Sequence, residues 1–161
     1  SAIYENAFRL ITSDLVADQN ELIFSNNKNE FYSVDLINGL VNWKQEINSS
    51  VRPIFYNNLI FTISDEGYFF VIDRNLGNII RVTDILSSFK NRGSGKIKPV
   101  GFITGPKKIL LTLDNGRVLV INIETGKTDY ISKIDSDKIS RPFVFNDEII
   151  LVKNNSIIRL N

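Results

Sequence analysis

Three stretches of this chain repeat one order of residue types, and that repeat constrains the fold more than any other feature. They are Phe31-Tyr32-Ser33-Val34-Asp35-Leu36-Ile37-Asn38-Gly39, Phe69-Phe70-Val71-Ile72-Asp73-Arg74-Asn75-Leu76-Gly77 and Val118-Leu119-Val120-Ile121-Asn122-Ile123-Glu124-Thr125-Gly126. Each is an apolar run, an Asp or Asn, three further residues and a Gly. Upstream of each lies a second apolar run: Leu22-Ile23-Phe24, Leu59-Ile60-Phe61 and Ile109-Leu110-Leu111-Thr112-Leu113, with a fourth copy at Glu148-Ile149-Ile150-Leu151-Val152. Further upstream comes a short segment that opens with Pro in three copies, Pro53-Ile54-Phe55-Tyr56, Pro99-Val100-Gly101-Phe102 and Pro142-Phe143-Val144-Phe145. The first copy has Asp14-Leu15-Val16-Ala17 there instead.

Each unit therefore reads as strand, turn, strand, turn, strand, Gly turn, strand. The joints at Asn57-Asn58, Asp65-Glu66-Gly67, Asp114-Asn115-Gly116 and Asn154-Asn155-Ser156 are residues that accept positive φ or hydrogen-bond their own backbone in tight hairpins. The apolar runs are short and rich in Ile, Val and Phe, which favours strand over helix. Only Thr83-Asp84-Ile85-Leu86-Ser87-Ser88-Phe89 has the length and composition for even a short turn of helix. Units of about 40–50 residues carrying four strands each are propeller blades. The expectation is an all-β chain, a β-propeller fragment of about four four-stranded antiparallel blades near 14–47, 52–85, 98–134 and 141–161. The last blade lacks its outer strand, and the strand-like segment within 3–11 (Ala7-Phe8-Arg9-Leu10-Ile11) is placed to complete a terminal or neighbouring blade.

Composition narrows the chemistry. The 161 residues include no His, Cys or Met. No thiolate, no Ser-His-Asp triad and no ordinary zinc site can be built without His and Cys. A formal net charge of +1 gives no global basic field, so nucleic acid is not an expected partner. No apolar run approaches the roughly 20 residues needed to span a bilayer as a helix. The missing Met reads as a processed or excised piece of a longer protein.

Phe31 through Trp43, with Asp35, Gly39 and Trp43 at its key positions, resembles the tryptophan-docking repeat of quinoprotein-like (PQQ-like) β-propellers. In that family the Asp and Gly shape the turn between the outer strands, and the Trp four residues after the Gly docks on the neighbouring blade. The repeat recurs at Asp73 with Gly77 and at Asn122 with Gly126, but the docking position there holds Arg81 and Tyr130. The dehydrogenases of this family hold a quinone and Ca²⁺ with Trp, Glu, Asn, Asp and Arg, and several carry a Cys pair. This chain has one Trp and no Cys, so no cofactor residue carries over and no cofactor or metal is expected. The chain is similar to the C-terminal half of the non-enzymatic branch, the propeller lipoprotein of the bacterial outer-membrane β-barrel assembly machinery.

That resemblance implies a non-catalytic scaffold at the periplasmic face of the outer membrane, with a lipid-anchored parent. The implied partners are outer-membrane β-barrel assembly components and unfolded outer-membrane proteins. An incomplete blade adds self-association to complete the propeller, because an unpaired edge recruits strands. Rival readings are a fragment of a quinoprotein dehydrogenase, a sensor domain of a membrane receptor and a carbohydrate-active propeller.

The remaining candidates are weaker. Lys90-Asn91-Arg92-Gly93-Ser94-Gly95-Lys96-Ile97 fails as a phosphate loop at both ends. Its Lys90, Arg92 and Lys96, with Lys98, form instead a basic loop that could meet an acidic partner surface. Asp135-Ser136-Asp137 has the first ligand spacing of a Ca²⁺ loop but lacks the Gly and terminal Glu. Asp65, Glu66 and Glu124 read as ordinary turn residues, and the Asn48 and Asn154 glycosylation patterns have a high background. The aromatic residues, Phe31, Phe55, Phe61, Phe69, Phe102, Phe143 and Phe145 among them, fall inside strands and read as blade packing. Trp43, fully buried, would cost about 3–5 kcal/mol to truncate.

Overall fold

The computed structural model describes residues 12–89, 97–154 and 156–160. The expected strand within 3–11 and the loop residues Lys90, Arg92 and Lys96 lie outside the described residues. The first sheet is an antiparallel meander of β1 (Val16–Asp18), β2 (Glu21–Asn26), β3 (Glu30–Asp35) and β4 (Val41–Gln45). The second repeats it with β5 (Ile54–Tyr56), β6 (Leu59–Ile63), β7 (Tyr68–Asp73) and β8 (Ile79–Asp84). The third has β9 (Pro99–Thr104), β10 (Lys108–Leu113), β11 (Arg117–Asn122) and β12 (Thr128–Lys133). The fourth has three described strands, β13 (Phe143–Phe145), β14 (Glu148–Lys153) and β15 (Ser156–Leu160). This is the all-β arrangement of four blades that the repeat predicts, the last with three strands among the described residues.

Local chemistry sets the meander. The hairpin turns place Asn57, Gly67, Gly116 and Asn154 at positive φ (53°, 88°, 73° and 45°), a region Gly and Asn enter at low cost. In each of the three complete blades the register shifts by one residue where the third strand meets the fourth, at Ser33/Val34, Val71/Ile72 and Val120/Ile121. A bulge there increases the local twist, which suits a blade whose outer strand is rotated far from its inner one. Pro53, Pro99 and Pro142 stand at or just before the inner strands, whose free edges need no N–H partner.

Residues 85–88 form a turn, and no helix occurs among the described residues. The segment Thr83–Phe89, which alone had the length and composition for a turn of helix, forms none because Thr83 and Asp84 finish β8 and the following apolar pair is drawn into the core. Asp84 Oδ1 accepts from the Leu86 N–H at 3.1 Å, and Ile85 and Leu86 are buried against the Gly67 turn.

The core lies between blades. Ile23, Phe31 and Ile47 of the first blade meet Ile60 and Ile72 of the second. Phe61, Phe69 and Val71 of the second meet Ile109, Leu119 and Ile121 of the third. Val118 of the third meets Ile139 and Leu151 of the fourth. Each fully buried side chain of this size stabilises the fold by about 1.5–3 kcal/mol. Phe31, Phe61, Phe69 and Phe102 take the packing role read from the sequence, whereas Phe143 and Phe145 do not: Phe145 is 62% exposed. The alternation that buries one face of a strand operates only where a neighbouring blade covers that face, and among the described residues none covers theirs.

Candidate functional site: blade-docking turns, an open blade and an axial cavity

The Asx-Gly turns are built alike. Asp35 Oδ1 accepts from the N–H groups of Ile37 and Asn38, and Asp73 Oδ1 accepts from those of Asn75 and Leu76. Asn122 Oδ1 accepts from the Thr125 N–H at 3.0 Å. In each turn the Gly N–H returns to the carbonyl of the Asx residue, at 2.8, 2.9 and 2.8 Å. Gly39, Gly77 and Gly126 have φ of 75°, 72° and 71°. Gly is needed at this step for backbone freedom, and at two of the three positions also for close approach by the preceding blade.

At Gly77 the visitor is Trp43. A methyl group added to Gly77 would lie 2.5 Å from the indole, so the ring rests flat against bare backbone. Trp43 Nε1 donates to the Arg74 carbonyl at 2.9 Å, three residues before that Gly, and Gln45 Nε2 donates to the Gly77 carbonyl at 2.8 Å. Trp43 also stacks on Phe31, with ring centres 5.9 Å apart. The indole is half-buried rather than fully enclosed, which lowers the expected cost of its removal.

At Gly126 the visitors are Arg81 and Thr83. The Arg81 guanidinium donates to the carbonyls of Ile123 and Glu124, and Ile123 again stands three residues before the Gly. An Arg thus occupies the place of the indole N–H and meets the same carbonyl. In the sequence Arg81 stands as a departure from the motif, and its position four residues after Gly77 is the one signal of this role. Tyr130, the corresponding residue of the third blade, is 62% exposed and faces no such turn among the described residues.

Arg74, which no motif singled out, ties the first two blades from the other side. Its guanidinium lies 4.3 Å from the centre of the Phe55 ring and pairs with Asp18 at 2.7 Å and Glu21 at 2.6 Å. Lys98, the described member of the basic loop, is exposed, and its backbone N–H donates to Asp114 Oδ1 at 2.9 Å. Asp135, offered above as a weak Ca²⁺ candidate, caps its own loop by accepting from the Ser136 and Asp137 N–H groups and pairs with Lys153 of the fourth blade. The Lys153 ammonium, with those N–H groups, holds its carboxyl down at about 2. Among the described residues no group of three acidic, His or Cys side chains is placed to hold a metal.

Two further features concern access. The blade-4 face that corresponds to the Ile23 face of blade 1 carries Phe143, Phe145, Ile150, Ile157 and Arg159 around a groove of ≈ 410 Å³. Ile157 on β15 is 71% exposed, and β15 is the outermost described strand of its sheet, with one edge unpaired among the described residues. The inner strands β1, β5, β9 and β13 converge on a cavity of ≈ 750 Å³. At that cavity Arg141 of blade 4 is paired with Asp14 of blade 1.

A family model described as outer membrane protein assembly factor BamB matches residues 2–83. No curated protein matches the chain. Among solved structures the chain is similar to BamB from Moraxella catarrhalis, with a TM-score of 0.73, 14% identity, and 92% of this chain aligned to 43% of that one. It is also similar to the computationally designed Ika4 protein, with a TM-score of 0.70, 11% identity, and coverage of 92% and 89%. A third match is the Cps50 (Swd1) β-propeller domain of Myceliophteria thermophila, with a TM-score of 0.62, 13% identity, and coverage of 82% and 45%. The chain thus spans less than half the length of the Moraxella protein. These identities carry the fold, and the sequence model, which covers half of the chain, carries the family: the chain belongs to the BamB-like family of PQQ-like β-propeller proteins.

Proposed function

We propose that the chain is a non-catalytic protein-interaction scaffold that serves as an accessory in outer-membrane protein assembly at the periplasmic face. Its partners are components of the barrel-assembly machinery and unfolded outer-membrane proteins. The observation that carries this reading is the fourth blade, whose apolar face and outer strand edge are both unfilled among the described residues. An unpaired edge offers a row of N–H and C=O groups to an extended segment, and the exposed side chains beside it offer pockets for alternate residues. Unfolded barrel strands alternate apolar and polar residues, which suits such an edge. The same edge provides for self-association.

The test is binding of a fluorescently labelled outer-membrane barrel protein, diluted from urea, followed by anisotropy. Saturable binding that Ile157→Asp with Phe145→Asp weakens at least tenfold supports the reading. Absence of saturable binding, or equal binding by the doubly substituted chain, overturns it. Light scattering on the same samples separates client capture from pairing of two copies.

A further inference from the structure

The axial cavity carries a charge pattern that the scaffold reading does not use. Two residues ahead of Val16, Ile54 and Phe143 stand Asp14, Arg52 and Arg141, and two residues ahead of Ile103 stands Gly101. Val16, Ile54, Phe143 and Ile103 occupy matching points of the four inner strands, facing Ile23, Phe61, Ile150 and Leu110. All four of the residues ahead of them line the cavity, at one level around the axis. The stem of Arg141 lies over Gly101, where an added methyl group would collide with its Cβ. The Arg141 guanidinium is neutralised by Asp14. Asp18, the other acid in the lining, is paired with Arg74. Arg52 is exposed to the cavity and has no charged or hydrogen-bonding partner among the described residues.

We infer that the axial cavity is a binding site for an organic carboxylate with an apolar body, the carboxylate held by Arg52. A guanidinium presents two parallel N–H donors that match a carboxylate. The rest of the lining supplies apolar surface for the body of the ligand, with Val16, Ile54, Phe102, Ile103 and Phe143 among it. At ≈ 750 Å³ the cavity falls within the range of small-ligand sites, which are mostly apolar with few polar groups fixing orientation. The inner edges of the four inner strands, unpaired among the described residues, add backbone N–H groups for any remaining carboxylate lone pair. Arg141 is a second donor on the same level, held by Asp14 when no ligand is bound. The site shares Phe143 with the blade-4 face, whereas Arg52 lines only the cavity and Phe145 and Ile157 line only the groove, so variants at those three positions probe the two sites independently.

Both a free small acid and the C-terminus of a peptide bring this chemistry, and the test distinguishes them. Calorimetric titration with 4-phenylbutyrate, its neutral analogue 4-phenylbutanol, and Gly-Gly-Phe as free acid and as amide covers both. At least one of the two acids is expected to bind, at least tenfold more tightly than its neutral counterpart, with backbone NMR shifts confined to the inner strands. Binding by phenylbutyrate alone assigns the site to small acids, and binding by the peptide acid alone assigns it to chain termini. Arg52→Gln is expected to weaken the acid at least tenfold, with Arg52→Lys intermediate, while the melting temperature stays within a degree or two. Equal binding of acid and neutral forms to the unaltered chain overturns the inference, as does undiminished acid binding by a folded Arg52→Gln. So does no binding by either acid at millimolar concentration.

Discussion

Gly39 and Gly77 occupy the same step of the same turn, yet they live in different surroundings. Both have φ near 75°, and both return their N–H to an Asp carbonyl. Gly77 has the Trp43 indole pressed onto it, whereas a methyl group on Gly39 would meet nothing within 4 Å. The repeat therefore encodes the turn locally, and the docking contact depends on a neighbouring blade. The first blade presents its turn to an empty position among the described residues, and the fourth presents an uncovered apolar face. Among the described residues the two findings are the two sides of one open seam, crossed at the axis by the Asp14–Arg141 pair.

Alanine at the two glycines separates strain from docking. Gly77→Ala should cost about 3 kcal/mol, since positive φ and displacement of Trp43 both count against it. Gly39→Ala should cost about 1 kcal/mol, from the backbone alone. Urea denaturation of both variants checks this, and equal costs would remove docking from the account. Trp43→Ala should cost about 2–3 kcal/mol, below the value for a fully buried indole, and Tyr130→Ala should stay within about 0.5 kcal/mol. Arg81→Leu should cost about 1–2 kcal/mol by the same assay, because it removes charged hydrogen bonds to the carbonyls of buried Ile123 and exposed Glu124.

The smallest effect is expected from acid. Hydrogen bonds from Asn26 and the Lys44 ammonium hold the Glu30 carboxyl at about 2, and Asp135 sits equally low beside Lys153. A carboxyl depressed in the folded state adds stability above its ordinary value near 4 and loses it as pH falls toward 2. Stability should therefore decline between about pH 4.5 and 2, and Glu30→Gln with Asp135→Asn should flatten that decline. An unchanged slope would show that these pairs do not distinguish the folded from the unfolded chain.

The fold was legible because blades are local: alternating apolar runs, turn residues and the Asx-Gly step all lie within one repeat. The turn geometry of Asp35, Asp73 and Asn122 follows from short-range hydrogen bonds, which sequence spacing can express. The role of Arg81 was not legible as a motif, because Trp and Arg share no composition signal; they share a position and a carbonyl partner in the next blade. Arg52 and Arg141 were equally hard to pair with the axis. Each stands before a Pro that opens an inner strand, but only the ring of blades brings them to one level beside Asp14. Phe143 and Phe145 read as core for the converse reason, since a strand does not record whether its neighbour is present.

Hydrogen exchange followed residue by residue tests the central claim, that stability resides in the seams between docked blades and fades toward the open one. The amides of β6, β7, β10 and β11, enclosed by seams on both sides, should be the most protected, and those of β13 and β15 should exchange at least tenfold faster. Uniform protection across all four blades would contradict the account.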